Sequence, residues 1–379
     1  MKRLLFLLAC PSALLLSPFS TAQGELRVSA TQIAPLKITA HTGMKPQSKL
    51  WTHDGFWWGC FADSKGTCIW RLEADKWIRT IKLTSDTNVR ADVLSHEGLL
   101  EVLFFRGVDS KFARYLYSKD LKRYKGALGP AIHVTLDEGV ETATIASFDG
   151  VVWLASDSEN EINVRWLGHS AQTFSEPITL AEGISKDDIC AIASLRTEGV
   201  GVLWSNQNTQ RYGFRRNVRA SEPHSWFPDE VPAGQSAIDY GDGMSDDHLN
   251  IAVGSDGTLY ATVKTSYDTE GMPLVACLIR RPHHKWDNLY SVDDEGSRGI
   301  IVLDESLKAF YVIYTSYRDS TIVMRSSSTD SIGFSDRKVL MRASRINNVS
   351  STRQIVSDGF PLVASQGDSL MHTAVLTTK

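Results

Sequence analysis

Apolar runs of strand length recur along this chain in pairs, and each pair meets at an acidic residue followed by glycine or serine. The clearest case is Leu249 to Val253, then Asp256-Gly257, then Leu259 to Val263. Apolar runs flanking Asp-Gly predict a β-hairpin, because that dipeptide suits the left-handed backbone of a tight turn. The same unit appears at Asp54-Gly55, Glu97-Gly98, Asp149-Gly150, Glu198-Gly199, Glu305-Ser306 and Asp358-Gly359, at spacings of 43 to 58 residues.

Seven hairpins at a spacing of about 51 residues nearly exhaust the chain. A period of this size with four short strands per unit is the signature of a β-propeller. The third and fourth strands are also legible, as in Gly66 to Leu72 followed by Trp77 to Leu83, or Ile162 to Leu167 followed by Phe174 to Leu180. No stretch of 12 or more residues carries a helical period. The predicted fold is all-β: a seven-bladed β-propeller with four-stranded antiparallel blades. Leu26 to Leu36 precedes the first hairpin and is expected to close the ring as the outer strand of the last blade. The longest connection, from about Asn217 to Asp247, holds Trp226, Pro228, Pro232 and a Gly-rich stretch at 240–244. It is expected to wall a binding site.

Composition narrows the class. A net charge of −4 and a pI near 6.2 give no basic signal for nucleic acid. Residues 1–22 read as a signal peptide, with Lys2-Arg3, an apolar run from Leu4 to Leu16 too short to span a bilayer, and small residues Ser20-Thr21-Ala22 at the cleavage position. Residues 23–379 then form one propeller domain, secreted and expected to be monomeric, with no membrane span. Of the mature cysteines, Cys60 and Cys68 lie on strands joined by a short turn and are expected either to bridge or to remain two buried thiols. Cys190 and Cys277 sit in apolar runs and read as core. Asn348-Val-Ser350 is a glycosylation sequon if the host is eukaryotic.

The repeat also predicts which residues converge. In a propeller the first strands of the blades line the central channel. Their beginnings crowd one mouth together with the ends of the second strands. The first-strand beginnings are Arg90, Glu141, Asp187 and Asp188, Asp247 and His248, Arg298, and Ser350. The second-strand ends are Asp63, Arg106, Asp157, Asn206 and Asn208, Lys264 and Tyr267, and Tyr317 and Arg318. Loop ends are polar everywhere, but His, Tyr, Arg and Lys gather in the fifth and sixth units. His283-His284, between third and fourth strands, is placed at the far face.

A site with these residues suits β-elimination from a uronate. Arg298, with Arg90 or Lys264, would neutralise the sugar carboxylate. His248 would take the adjacent proton, and Tyr267 or Tyr317 would protonate the leaving oxygen. Asn206, Arg318, Glu141 and Asp188 complete the expected substrate contacts. Glycoside hydrolysis instead needs two carboxylates, which Asp188, Asp247 and Glu141 could supply. No cofactor is expected, although Asp246-Asp247 offers oxygens that suit Ca²⁺. A non-catalytic lectin would repeat its site from blade to blade, and here the mouth residues differ.

With Leu203-Trp-Ser-Asn-Gln-Asn208 and Val263-Lys264-Thr-Ser-Tyr267 after such hairpins, the chain resembles secreted seven-bladed propellers of the BNR-like group. That group includes polysaccharide lyases such as ulvan lyases and L-rhamnose-α-1,4-D-glucuronate lyase. The resemblance implies cleavage of an acidic polysaccharide like gum arabic or ulvan.

Overall fold

The computed structural model describes residues 27–43, 45–219, 221–234 and 243–379. The leader expected at 1–22 and residues 240–242 of the Gly-rich stretch lie outside the described residues. Among the described residues there is no α-helix and no segment long and apolar enough to cross a membrane as one.

The strands form seven antiparallel sheets, each a blade built in chain order from the channel outward, save that the last takes its outer strand from the beginning of the described chain. Each of the seven acidic turns joins a first strand to a second. In the first three blades both turn residues are left-handed, with φ of 52° and 76° at Asp54-Gly55, 48° and 84° at Glu97-Gly98, and 50° and 71° at Asp149-Gly150. This is the type I′ geometry whose twist matches the flanking strands.

Apolar side chains occupy both faces of the strands. They gather into seven buried layers, one in each gap between neighbouring blades. Seven layers for seven sheets means the ring is closed. The closing strand, Val28–Lys37, pairs with Leu370–Thr378 and so completes the last blade with the first part of the described chain. Polar side chains tie the inner strands to one another across blades. Asp92 accepts from Ser48 N at 2.8 Å and Ile145 N at 2.9 Å, and Asn250 accepts from Ile301 N at 3.1 Å. These bonds satisfy backbone groups that no ladder reaches.

Two expectations are modified. The fourth blade has three regular strands, Cys190–Ser194, Val200–Asn206 and Arg211–Arg216. Its outer edge is covered by residues 217–230 through single bridges, Phe214 to Glu230 and Asn217 to Trp226. Pro223 and Pro228 lie in that segment, and proline cannot donate to a regular ladder. The described part of the segment thus runs along the outside of the blade, where Asp229, Glu230 and Val231 border a hollow, and residues 235–242 lie outside the described residues.

The Cys60–Cys68 disulfide is not formed; all four described cysteines are free and buried. Cys60 pairs with Ile69 and Cys68 with Phe61. The two cysteines are one position out of register, and side chains one residue apart point to opposite faces of a sheet. Cys60 packs between the first and second blades, and Cys68 between the seventh and first.

Candidate active site at the channel mouth

A cavity of about 320 Å³ opens where the first strands begin. Its walls are Glu141, Asp187, Asp247, Arg298, Asn347 and Asn348, from five consecutive blades, with His41 and Lys45 from the connection that follows the closing strand. Of the first-strand beginnings named from the repeat, Glu141, Asp187, Asp247 and Arg298 line this cavity.

Lys45 organises the acidic side. Its ammonium is 2.7 Å from Glu141 Oε2 and 3.0 Å from Asp247 Oδ2, and its side chain is only 5% exposed. Burial would lower this ammonium, but Asp247 and Glu141 outweigh it and hold the group charged, above the ordinary lysine value.

The carboxyl groups diverge. Asp187 is raised above the usual carboxylate range by partial burial, then by the charges of Asp247 and Glu141, with which it shares the cavity. Burial also acts to raise Asp247, yet hydrogen bonds from His248 and the Asp246 side, and the charge of Lys45, hold it well below that range.

His41 lies beside them, with Nδ1 2.5 Å from the Gly43 carbonyl. Only an N–H can bond to a carbonyl, so Nδ1 carries the proton and Nε2 keeps its lone pair. Burial, then Lys49 and Arg90, lower His41 below the ordinary histidine value and keep it neutral.

The basic side is built by a repeated backbone device. The first strands of the sixth and seventh blades both bulge, between Ser297 and Ile300 and between Asn347 and Ser350. The bulged residues Arg298 and Asn348 both have φ of 56°. An extra residue in a strand re-aims its side chain. Asparagine tolerates the left-handed region, but for arginine it costs about 1–2 kcal/mol. Arg298 donates from Nε to the Tyr317 hydroxyl at 3.3 Å, and no described carboxylate forms an ion pair with it.

The remaining predicted residues fall into three groups. Tyr317 and Arg318 are exposed on the rim, Tyr317 at 56%. Arg90 lies lower, its guanidinium over the Phe105 ring at 4.9 Å. A second group stands behind the wall. His248 is 5% exposed, with Nδ1 against the Asp247 carboxylate, so it positions Asp247 rather than meeting the cavity. Lys264 binds Asp246 at 2.6 Å. Asp188 is fully buried and accepts from Ser185 N, Gln207 N and Gln207 Nε2, leaving its neighbour Asp187 at the mouth. The third group lies elsewhere. Tyr267, 4% exposed, packs in the apolar layer between the fourth and fifth blades. Asn206 accepts Thr209 N in its own turn and borders a different hollow beside the fourth blade.

Ligand atoms of Asp246, Asp247 and His248 lie within 4.8 Å of one another and are the described residues best placed to hold a cation. The charges of both carboxylates are already met, by Lys264 on Asp246 and Lys45 on Asp247. An imidazole is also a poor partner for a hard ion such as Ca²⁺.

No protein family and no curated protein matches the sequence. Solved structures share the fold. A 6-phosphogluconolactonase, so described provisionally, from Bacteroides fragilis NCTC 9343 aligns with TM-score 0.52 and 12% identity over 84% of this chain and 95% of its own. The polysaccharide lyase Uly1 aligns with TM-score 0.49 and 9% identity over 88% and 90%. The Penicillium chrysogenum α-L-arabinanase complexed with arabinobiose aligns with TM-score 0.47 and 8% identity over 79% and 100%. At these identities the likeness is one of fold.

Proposed function

We propose that the channel mouth is the active site of a carbohydrate-cleaving enzyme and that it acts by glycoside hydrolysis. The observation that carries this reading is that two carboxyl groups of one cavity, Asp187 and Asp247, are driven in opposite directions. Such a split separates an acid from an ionised partner. Asp187, raised above the usual carboxylate range by partial burial and by the charges of Asp247 and Glu141, is the acid assigned to give a proton to the glycosidic oxygen. Asp247, braced by His248 and Lys45, stays ionised to stabilise positive charge at the anomeric carbon or to orient water. Arg298, Asn347 and Asn348 face these acids and bind hydroxyl groups.

Elimination from a uronate is the second reading. What favours it is Arg298, a guanidinium with no carboxylate partner among the described residues, lining the same cavity as a neutral His41 suited to take a proton. Against it, Lys45 is already held by Glu141 and Asp247, which leaves Arg298 as the one described cation of the cavity to meet a uronate carboxylate.

The product separates the two. The purified protein is incubated with neutral and acidic polysaccharides, gum arabic and ulvan among them, while reducing ends and ultraviolet absorbance are followed. New reducing ends without absorbance, abolished in Asp187→Asn, support hydrolysis. A rise in absorbance abolished in His41→Ala and retained in Asp187→Asn moves the assignment to a lyase. Retention of either activity in Arg298→Ala and Asp187→Asn together would overturn the site.

A further inference from the structure

A second hollow, about 440 Å³ in volume, lies on the same face of the seventh blade and shares Asn347 and Asn348 with the first. Its outer residues are Arg345, at the start of the blade's first strand, and Gln366 and Asp368, at the turn that ends the second. Each hollow alone reaches the size of a small-ligand pocket, about 300 Å³ and upward. Together they make one trough running outward from the channel axis.

The outer hollow is lined by planar polar groups with unused capacity. The Asn347 side-chain carbonyl accepts from Thr315 Oγ1 at 2.9 Å and Asn348 N at 2.8 Å, which leaves its NH₂ as a donor. Gln366 Oε1 is engaged by His372 Nε2 at 3.1 Å, which likewise leaves the amide NH₂. Arg345 and Asp368 are exposed, and neither forms an ion pair with a described residue. One guanidinium and one carboxylate leave the hollow with no net charge while offering both donors and acceptors. That chemistry recognises hydroxyl groups.

We propose that the substrate is an oligosaccharide or polysaccharide lying along this trough, with the bond to be cleaved at the channel mouth and an uncharged sugar unit bound over the seventh blade by Arg345, Gln366 and Asp368. This rests on the reading of the mouth as a carbohydrate-cleaving site. The trough selects for chain length: a longer substrate fills both hollows and a short one fills the mouth only.

The test uses the full chain and graded oligosaccharides, from disaccharide upward, prepared by partial acid hydrolysis of gum arabic and of arabinan. For wild type, Arg345→Ala and Asp368→Asn, kcat/KM is measured on the shortest cleaved member and on a longer one, with binding to the same series by calorimetry. The ratio of long to short is expected to fall about 10-fold in each variant, as one lost polar contact predicts. An unchanged ratio overturns the outer subsite, whatever happens to absolute activity. If the wild type binds the series but cleaves none, the cleavage reading fails. The subsite is then judged by binding, where loss of the preference for longer chains supports it and retention overturns it. A wild type that neither binds nor cleaves overturns both.

Discussion

Arg298 and Tyr317 meet at the rim of the channel, with the guanidinium Nε donating to the phenol oxygen at 3.3 Å. The arginine meets this partner from a left-handed backbone, with φ of 56°. Two opposite effects follow for Arg298→Gly. Glycine removes the backbone strain and is expected to stabilise the fold by about 1 kcal/mol. It also removes the one guanidinium among the described residues that lines the cavity, and kcat/KM is expected to fall about 100-fold. Thermal unfolding and initial rates on one sample check both signs. Tyr317→Phe, at an exposed position, should cost less than about 10-fold.

Lys45 stands between Glu141 and Asp247 with its side chain almost fully covered. Lys45→Met would leave two carboxylates side by side with no cation. Removing one partner of a buried ion pair costs about 3 kcal/mol or more. Asp247, which the charge of Lys45 helps to hold low, would then titrate higher, so the acid limb of the pH–rate profile should move to higher pH. Denaturant unfolding and the profile give independent readouts. An unmoved acid limb would mean that these carboxylates do not take part in the reaction.

Asp157 ends the second strand of the third blade and is buried, accepting from Glu141 N and Thr142 N. Burial, against those hydrogen bonds, pushes its carboxyl up to about 7 from 3.8. A folded value above the unfolded one means that the proton's contribution is complete below about 3.8 and is lost as pH rises through about 7. Wild-type Tm should carry a falling component across that window, and Asp157→Asn should lack it. A pH–Tm curve of the variant parallel to that of the wild type would refute the assignment.

All four described cysteines are free, and Cys60 and Cys68 face different layers. A reducing agent should therefore leave Tm unchanged within error, and thiol reagents should label these residues only after unfolding. A drop in Tm on reduction would show a bridge that this register forbids.

The architecture was legible because the acidic turn and the pairing of apolar runs fix strand direction in every unit. Strand direction then determines which ends meet at the mouth, and Glu141, Asp187, Asp247 and Arg298 follow from it. Register carried less information about which neighbour faces the channel. Asp188 and His248 each sit one residue beyond the one that does, turned inward to hold backbone or to brace Asp247. Tyr267 lies three residues past the end of its strand, where alternation no longer applies. His41 and Lys45 were invisible to the repeat because they belong to the connection before the first hairpin. Asn348 carried a signal, but it read as a sequon rather than as a bulged position at the mouth.

The strand that closes the ring, Val28–Lys37, and the segment that brings His41 and Lys45 to the cavity are consecutive in the chain. Ile38 N and Thr39 N clamp the join, bonding to Ser369 O at 3.1 Å and Ala62 O at 3.0 Å on the last and first blades. Latch and cavity wall are thus one piece. Peeling the strand from its partner would withdraw the ammonium that sits between Glu141 and Asp247, so inactivation on heating is expected to run ahead of loss of β-structure. The partner of this latch lies at the far end of the described chain, and its closure carries the largest loop entropy in the fold. The cavity is therefore expected to be completed last, after the blades that the closing strand joins.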